Sequence, residues 1–125
     1  MNNPCVLVAE DVESNYIYLE ALLKKVSCDV VWAENGIVAV DMMKSGLKID
    51  LILMDLQMPK MSGIDATKEI RDLGIQTPII IQTAFSQENE IHNFIDSGVS
   101  EVFIKPIRPA HFYKVISRYI NITPI

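Results

Sequence analysis

Short apolar runs alternate with longer amphipathic stretches along the whole chain. The runs are Cys5–Ala9, Val30–Ala33, Leu51–Met54, Pro78–Gln82 and Val102–Ile104. Most are nearly continuous in apolar residues and rich in Val and Ile, the pattern of strands buried on both faces. Between and after them lie Ser14–Val26, Gly36–Ser45, Ser62–Leu73, Ser86–Ser97 and Ala110–Ile120. In the first of these, Tyr16, Leu19, Leu23 and Val26 fall at three- and four-residue steps, one face of a helix. In the fourth, Ile91 with Phe94 and Ile95 makes a similar stripe, and Gly46, Gly74 and Gly98 stand where helices would stop. Strict strand–helix alternation predicts an α/β fold: a doubly wound five-stranded parallel sheet of order 2-1-3-4-5, with right-handed crossovers and helices on both faces. The whole chain, residues 1–125, reads as a single domain with its core at about 4–120.

In such sheets ligands bind beyond the carboxyl ends of the strands. Glu10 and Asp11 follow the first run, Asp55 the third, Thr83 and Ala84 the fourth, and Lys105 and Pro106 the fifth. The predicted order makes those four strands consecutive neighbours. Their ends would gather three carboxylates, a hydroxyl and an ammonium in one crevice. The acids would repel one another unless a cation lay between them. Hard oxygen ligands with room for water suit Mg²⁺, and an aspartate beside such a metal can attack phosphorus to give an aspartyl phosphate. Lys105 would supply a point charge to one phosphoryl oxygen and Thr83 a hydrogen bond to another. Pro59 and Gly63 would hold the loop after Asp55, keeping the main-chain carbonyl of Gln57 available to the metal.

Taken singly, these residues have plainer readings. Asp11 alone is best read as a helix N-cap, and Asp55 equally as a carboxylate capping a turn. Thr83 alone is a β-branched strand residue or helix start, and Lys105 a snorkelling surface lysine. His92 and His111 read as surface residues, and Met42, Met43, Met54, Met58 and Met61 as core and loop packing. The joint placement at adjacent strand ends carries the functional reading.

Composition narrows the class. Hydrophobic residues make up 50% of the chain and charged ones 22%, a globular balance. The net charge of −5 speaks against direct binding of nucleic acid. No apolar run reaches membrane-spanning length, and "MNNPCVLVAED" lacks the layout of a signal peptide, so a cytoplasmic location is expected. Cys5 and Cys28 have neither metal-type spacing nor the number for a disulfide framework, and read as reduced core thiols.

These residues resemble the receiver (response-regulator) domain of two-component signalling systems, over about Pro4 to Ile120. The carriers are "VLVAEDVESN", "AENGIVAV", "DLILMDLQMPKMSGIDATKEIR", "PIIIQTA" and "VFIKPI". The wording is particularly similar to receivers of hybrid histidine kinases. The resemblance implies that Asp55 accepts a phosphoryl group from a phosphohistidine on a histidine kinase or histidine phosphotransferase. It implies that Asp11, Asp55 and the Gln57 carbonyl bind Mg²⁺ (or Mn²⁺), with Glu10 acting through water. It also implies a cis Lys105–Pro106 bond. Such a domain promotes its own phosphorylation and dephosphorylation but is not a turnover enzyme on a separate substrate.

Two departures from the family pattern stand out. Glu10 replaces the commoner aspartate with retention of charge. Val102 stands where an inward-turning switch aromatic often sits, and alternation points the adjacent Phe103 to the opposite face. Phosphorylation would then reshape the face built from residues 86–97, the last strand and the final helix, where an output domain or protein would dock. Gln57 and Phe85 flank the path of hydrolytic water and would tune phosphoryl lifetime. A haloacid-dehalogenase-like phosphatase would want a second acid where Gln57 stands. A flavodoxin-like FMN binder shares the sheet order, but would not open its first loop with carboxylates. A pseudo-receiver acting only as a protein-binding module is the remaining alternative. It typically lacks the acceptor, the acid pair or the lysine, all present here. No effector is expected after Ile120.

Overall fold

The computed structural model describes residues 3–84 and 94–123. The strands are β1 (Cys5–Ala9), β2 (Asp29–Ala33), β3 (Leu51–Asp55), β4 (Ile79–Thr83) and β5 (Glu101–Ile104). Helices α1 (Glu13–Lys25), α2 (Gly36–Lys44) and α3 (Gly63–Asp72) alternate with them, and a C-terminal helix covers Pro109–Ile116. All strand pairs are parallel, in the order β2-β1-β3-β4-β5. This is the predicted topology.

The two faces of the sheet carry separate cores, because successive strand residues point oppositely. Val6, Val8, Leu51, Leu53, Ile80 and Phe103 meet α1 and the C-terminal helix. Leu7, Ile52, Met54, Ile79 and Ile81 meet α2 and α3. β3 and β4 are buried at every position, as expected of central strands covered on both sides. The α1 stripe behaves as read: Tyr16, Leu19, Leu23 and Val26 are all buried. Cys5 packs against the α2/α3 core and Cys28 belongs to the other, so the two free thiols lie on opposite sides of the sheet.

Local signals set the element ends within a residue or so. The Asn35 side chain accepts from Val38 N at 3.0 Å and Ser62 from Asp65 N at 3.2 Å, capping α2 and α3. Gly46, Gly74 and Gly98 adopt positive φ (83°, 81° and 102°), as helix stops require. β4 begins one residue later than predicted and runs on through Thr83, since Pro78 has no N–H for the ladder. The C-terminal helix ends at Ile116 rather than Ile120: Arg118 N and Tyr119 N bond to the carbonyls three residues back, tighter turns that close the segment. Of the predicted fourth helix, residues 94–96 are helical, while Ser86, Ile91 and His92 lie outside the described residues.

Candidate functional site

The carboxyl ends of β1, β3, β4 and β5 meet, and their terminal residues form one polar cleft. Asp55 is the last residue of β3 and is 8% exposed. It pairs in register with Gln82, one residue before Thr83, which closes β4 and is itself buried. Lys105 follows β5, and its main-chain N–H bonds to the Thr83 carbonyl at 2.8 Å. That bond brings the lysine stem back over the sheet, so Nζ stands 3.4 Å from Asp55 Oδ1. The Lys105–Pro106 peptide is cis, as anticipated.

On the other side of Asp55 lie Glu10 and Asp11. One carboxylate oxygen from each of the three acids falls within 4.8 Å of the others. Glu10 is wholly buried; its Oε1 accepts from Val12 N at 3.2 Å and from Asn15 Nδ2 at 3.4 Å. Its Oε2 is buried with no partner among the described residues. A buried, unpaired carboxylate oxygen beside two more carboxylates is costly as it stands. A hard divalent cation answers that need, so the donor set fits Mg²⁺. Asp11 does not cap α1, contrary to its isolated reading. Val12 occupies the N-cap position without a side-chain bond, because three residues, Glu10 to Val12, separate the end of β1 from the helix. The exposed Asp11 side chain is left to face the cleft.

Burial is the main cause that raises the Asp55 pKa above the usual carboxylate range; the charge and hydrogen bond of Lys105 oppose it, and Asp11 adds to it. Burial likewise raises Glu10, with the Asp55 charge second.

The loop after Asp55 is held at close quarters. Gly63 N donates to the Leu56 carbonyl at 2.8 Å, and a Cβ on Gly63 would run into the Asp55 carbonyl oxygen. Lys60 takes positive φ (71°) between Pro59 and Met61. The strand end and the start of α3 are thus locked together, and Gln57 is exposed at the rim of the turn. Val102 packs with the α2/α3 core and Phe103 with the other, so alternation separates them as expected. Phe85 lies outside the described residues. His111 is exposed on the C-terminal helix, its ring edge-on to Phe103 at 5.5 Å.

Asn15 and Trp32 were not anticipated. Asn15 sits in the first turn of α1, and a polar residue there carries only a weak signal. Trp32 reaches Glu10 from the neighbouring strand, which nothing in its local sequence announces. A cavity of about 160 Å³ lies beside the site, lined by Asn15, Tyr18, Gln82, Lys105 and Ile107 among others. A larger hollow of about 940 Å³ opens at the far, amino end of the sheet near Cys5 and Arg118. No comparable gathering of acids occurs there among the described residues, so convergence of charge, not size, locates the site.

With this geometry in hand, comparison with known proteins is direct. The family model for the response regulator receiver domain matches residues 6–117. The autoinducer 2 sensor kinase/phosphatase LuxQ of Vibrio vulnificus is 42% identical over 104 residues, covering 82% of this chain and 12% of that protein. The present chain therefore spans about an eighth of that relative's length. The receiver domain of sensor histidine kinase PA1611 from Pseudomonas aeruginosa, solved with a magnesium ion coordinated in its active-site cleft, superposes with a TM-score of 0.82 at 30% identity, over 94% of this chain and 97% of that one. The co-crystal structure of the Saccharomyces cerevisiae histidine phosphotransfer protein Ypd1 with the receiver domain of Ssk1 gives 0.87 at 31% identity, covering 94% of this chain and 89% of the matched chain. Sheet order, the clustered acids and these likenesses agree: the chain belongs to the response regulator receiver domain family of two-component signalling.

Proposed function

We propose that Asp55 accepts a phosphoryl group from a phosphohistidine on a histidine kinase or histidine phosphotransferase, in a Mg²⁺-dependent reaction that switches a protein-binding face. The observation that carries this reading is the setting of Asp55, with the Lys105 ammonium 3.4 Å away on one side and two further acids on the other. A cation site and an anion-stabilising group flanking one strand-end carboxylate are the parts that phosphoryl transfer asks of a protein. An Asp55 carboxylate oxygen attacks phosphorus, the P–N bond to the donor imidazole breaks, and the bonding pair leaves with the imidazole, which takes a proton. Lys105 then faces a phosphoryl oxygen as a point charge, and the Thr83 hydroxyl, at the adjacent strand end, donates to another. Asp11, Asp55 and the Gln57 carbonyl would hold the metal, with Glu10 acting through water. When bound, Mg²⁺ supplies neutralisation of charge on the phosphoryl oxygens.

The PA1611 receiver with magnesium in its cleft and the Ypd1–Ssk1 complex support the choice of metal and partner. Mn²⁺, which shares the preference for oxygen donors, is a workable substitute. The domain promotes its own phosphorylation and loss of phosphate without turning over a separate substrate. Among the described residues no helix is long and apolar enough to cross a membrane; the cytoplasmic setting we propose rests on the two free thiols. The output face is assigned to β5, the C-terminal helix and the segment before β5, and charge reversals there should change partner affinity.

The test is intact-protein mass after incubation with acetyl phosphate, with and without Mg²⁺, for the native chain and Asp55→Asn. A Mg²⁺-dependent gain of one phosphoryl group, absent in the variant, is expected. No adduct, and no beryllofluoride complex either, would overturn the reading in favour of a pseudo-receiver.

A further inference from the structure

Trp32 is the chain's single tryptophan and the fourth residue of β2, the edge strand. Its indole Nε1–H donates to the main-chain oxygen of Glu10 at 2.8 Å. Glu10 N in turn donates to Ala33 O at 3.0 Å. Both main-chain polar groups of Glu10 are therefore tied to β2, one by the regular ladder and one by a side chain. A continued parallel ladder would bring a main-chain N–H from beyond β2 to that carbonyl. The chain turns away instead, at Asn35, to cap α2. The indole fills the vacated place, so the carbonyl is not left without a donor.

The other side of Trp32 is fixed as well. Its ring stacks on Tyr16 of α1, centroids 4.4 Å apart and planes 8° from parallel. Tyr16 N bonds to the Val12 carbonyl at 3.1 Å, and Val12 N holds Glu10 Oε1. These bonds close a ring from Trp32 through Glu10, Val12 and Tyr16 back to the indole. The ring holds Glu10, a buried acid whose Oε2 has no partner among the described residues and whose carboxylate belongs to the cluster with Asp11 and Asp55. Packing alone does not require tryptophan here, since a phenylalanine could stack on Tyr16. The N–H is the feature that distinguishes the two.

We propose that Trp32 is a positioning residue for the cation site: its indole N–H fixes the main chain of Glu10, while its stack on Tyr16 serves the packing of helix α1. This rests on the Mg²⁺ reading above and deepens it. It follows that the emission of this lone tryptophan reports cation binding.

The experiment titrates the full chain with Mg²⁺ by calorimetry and, in parallel, by tryptophan emission. Trp32→Phe keeps a ring and removes the N–H; Tyr16→Leu keeps the N–H and removes the stack. Emission of the native chain should change along the same binding curve as the heat. Trp32→Phe should weaken Mg²⁺ about tenfold, as loss of a supporting contact around metal ligands does. Tyr16→Leu should lower the melting temperature and leave Mg²⁺ affinity within about twofold, because the hydrogen bond survives. An unchanged affinity in Trp32→Phe, or equal losses in both variants, would overturn the positioning role while leaving the metal site intact. Calorimetric saturation with no change in native emission would do the same, even if Trp32→Phe failed to fold. Absence of any Mg²⁺ binding by the native chain would overturn the metal reading itself, and this proposal with it.

Discussion

Asp55 sits among groups that pull its charge in opposite directions. Burial and Asp11 disfavour the carboxylate, Lys105 favours it, and the balance leaves its pKa raised; Glu10 is raised too, first by burial and then by Asp55. A carboxyl whose folded pKa exceeds its unfolded value stabilises the fold at low pH, and that contribution is lost as pH rises through the folded pKa. The metal-free domain is thus expected to carry a penalty at neutral pH that Asp55→Asn relieves, since the amide has no proton to lose. Thermal melts should show the variant above the native chain at about pH 7 and the two converging below about pH 4, where model carboxyls are protonated. Equal melting temperatures at neutral pH would contradict this. Mg²⁺ favours the ionised acids, so its stabilisation should grow over the same window. The convergence of Glu10, Asp11, Asp55, Thr83 and Lys105 was legible because each stands one or two positions past an apolar run. The plain reading of Asp11 as a cap failed because whether a helix begins one residue later depends on how the chain leaves the sheet.

At the scale of elements, Arg71 joins three segments through side-chain bonds. From the last turn of α3 its Nε donates to Gly98 O at 3.0 Å, and its Nη1 to Ile75 O at 2.9 Å and Thr77 O at 2.8 Å. The helix end, the entry to β4 and the turn before β5 are thereby stitched together. Gly98 leaves room for this, since a Cβ there would meet Arg71 Cγ at 2.8 Å. Removing the guanidinium strands several part-buried carbonyls, so Arg71→Ala should cost about 2–3 kcal/mol in urea denaturation. Arg71→Lys should recover only part of that, because a point donor cannot reach all three acceptors as a planar fork does. A loss under about 0.5 kcal/mol would mean that water satisfies these groups instead. The helix and its Gly74 stop were visible in the sequence. The clamp was not, because its most distant partner lies 27 residues away and is met only after β4 has been laid down.

For the whole molecule the decisive fact is that the last strand divides its side chains between two cores. Phe103 is 1% exposed, between His111 at 5.5 Å and Phe112 at 5.7 Å, while Val102 faces α2 and α3. Rotating Phe103 outward would empty a filled site, so it is expected to behave as a core residue and not as a switch aromatic. Phe103→Ala should cost about 3–5 kcal/mol by denaturation, and Phe103→Leu on the order of 1 kcal/mol. Phosphorylation of the Phe103→Leu protein by acetyl phosphate, followed by mass, should stay within about twofold of native, since no group at the acceptor changes. A large loss in that stable variant would place Phe103 in the switch after all.

The alternation of strands and helices, their parallel order, the two-sided burial of β3 and β4, and the set of polar residues left at the strand ends can be read from the residues alone. Those follow from local periodicity and from the chirality of crossovers, which every short window of the chain carries. Folding settles which of those polar groups touch. It sets Lys105 against Asp55, leaves one oxygen of Glu10 without a partner among the described residues, and brings the indole of Trp32 onto the Glu10 carbonyl, 22 residues away. Contacts of that kind depend on the register and twist of neighbouring strands to within an ångström, and no periodicity in the chain encodes distances that fine.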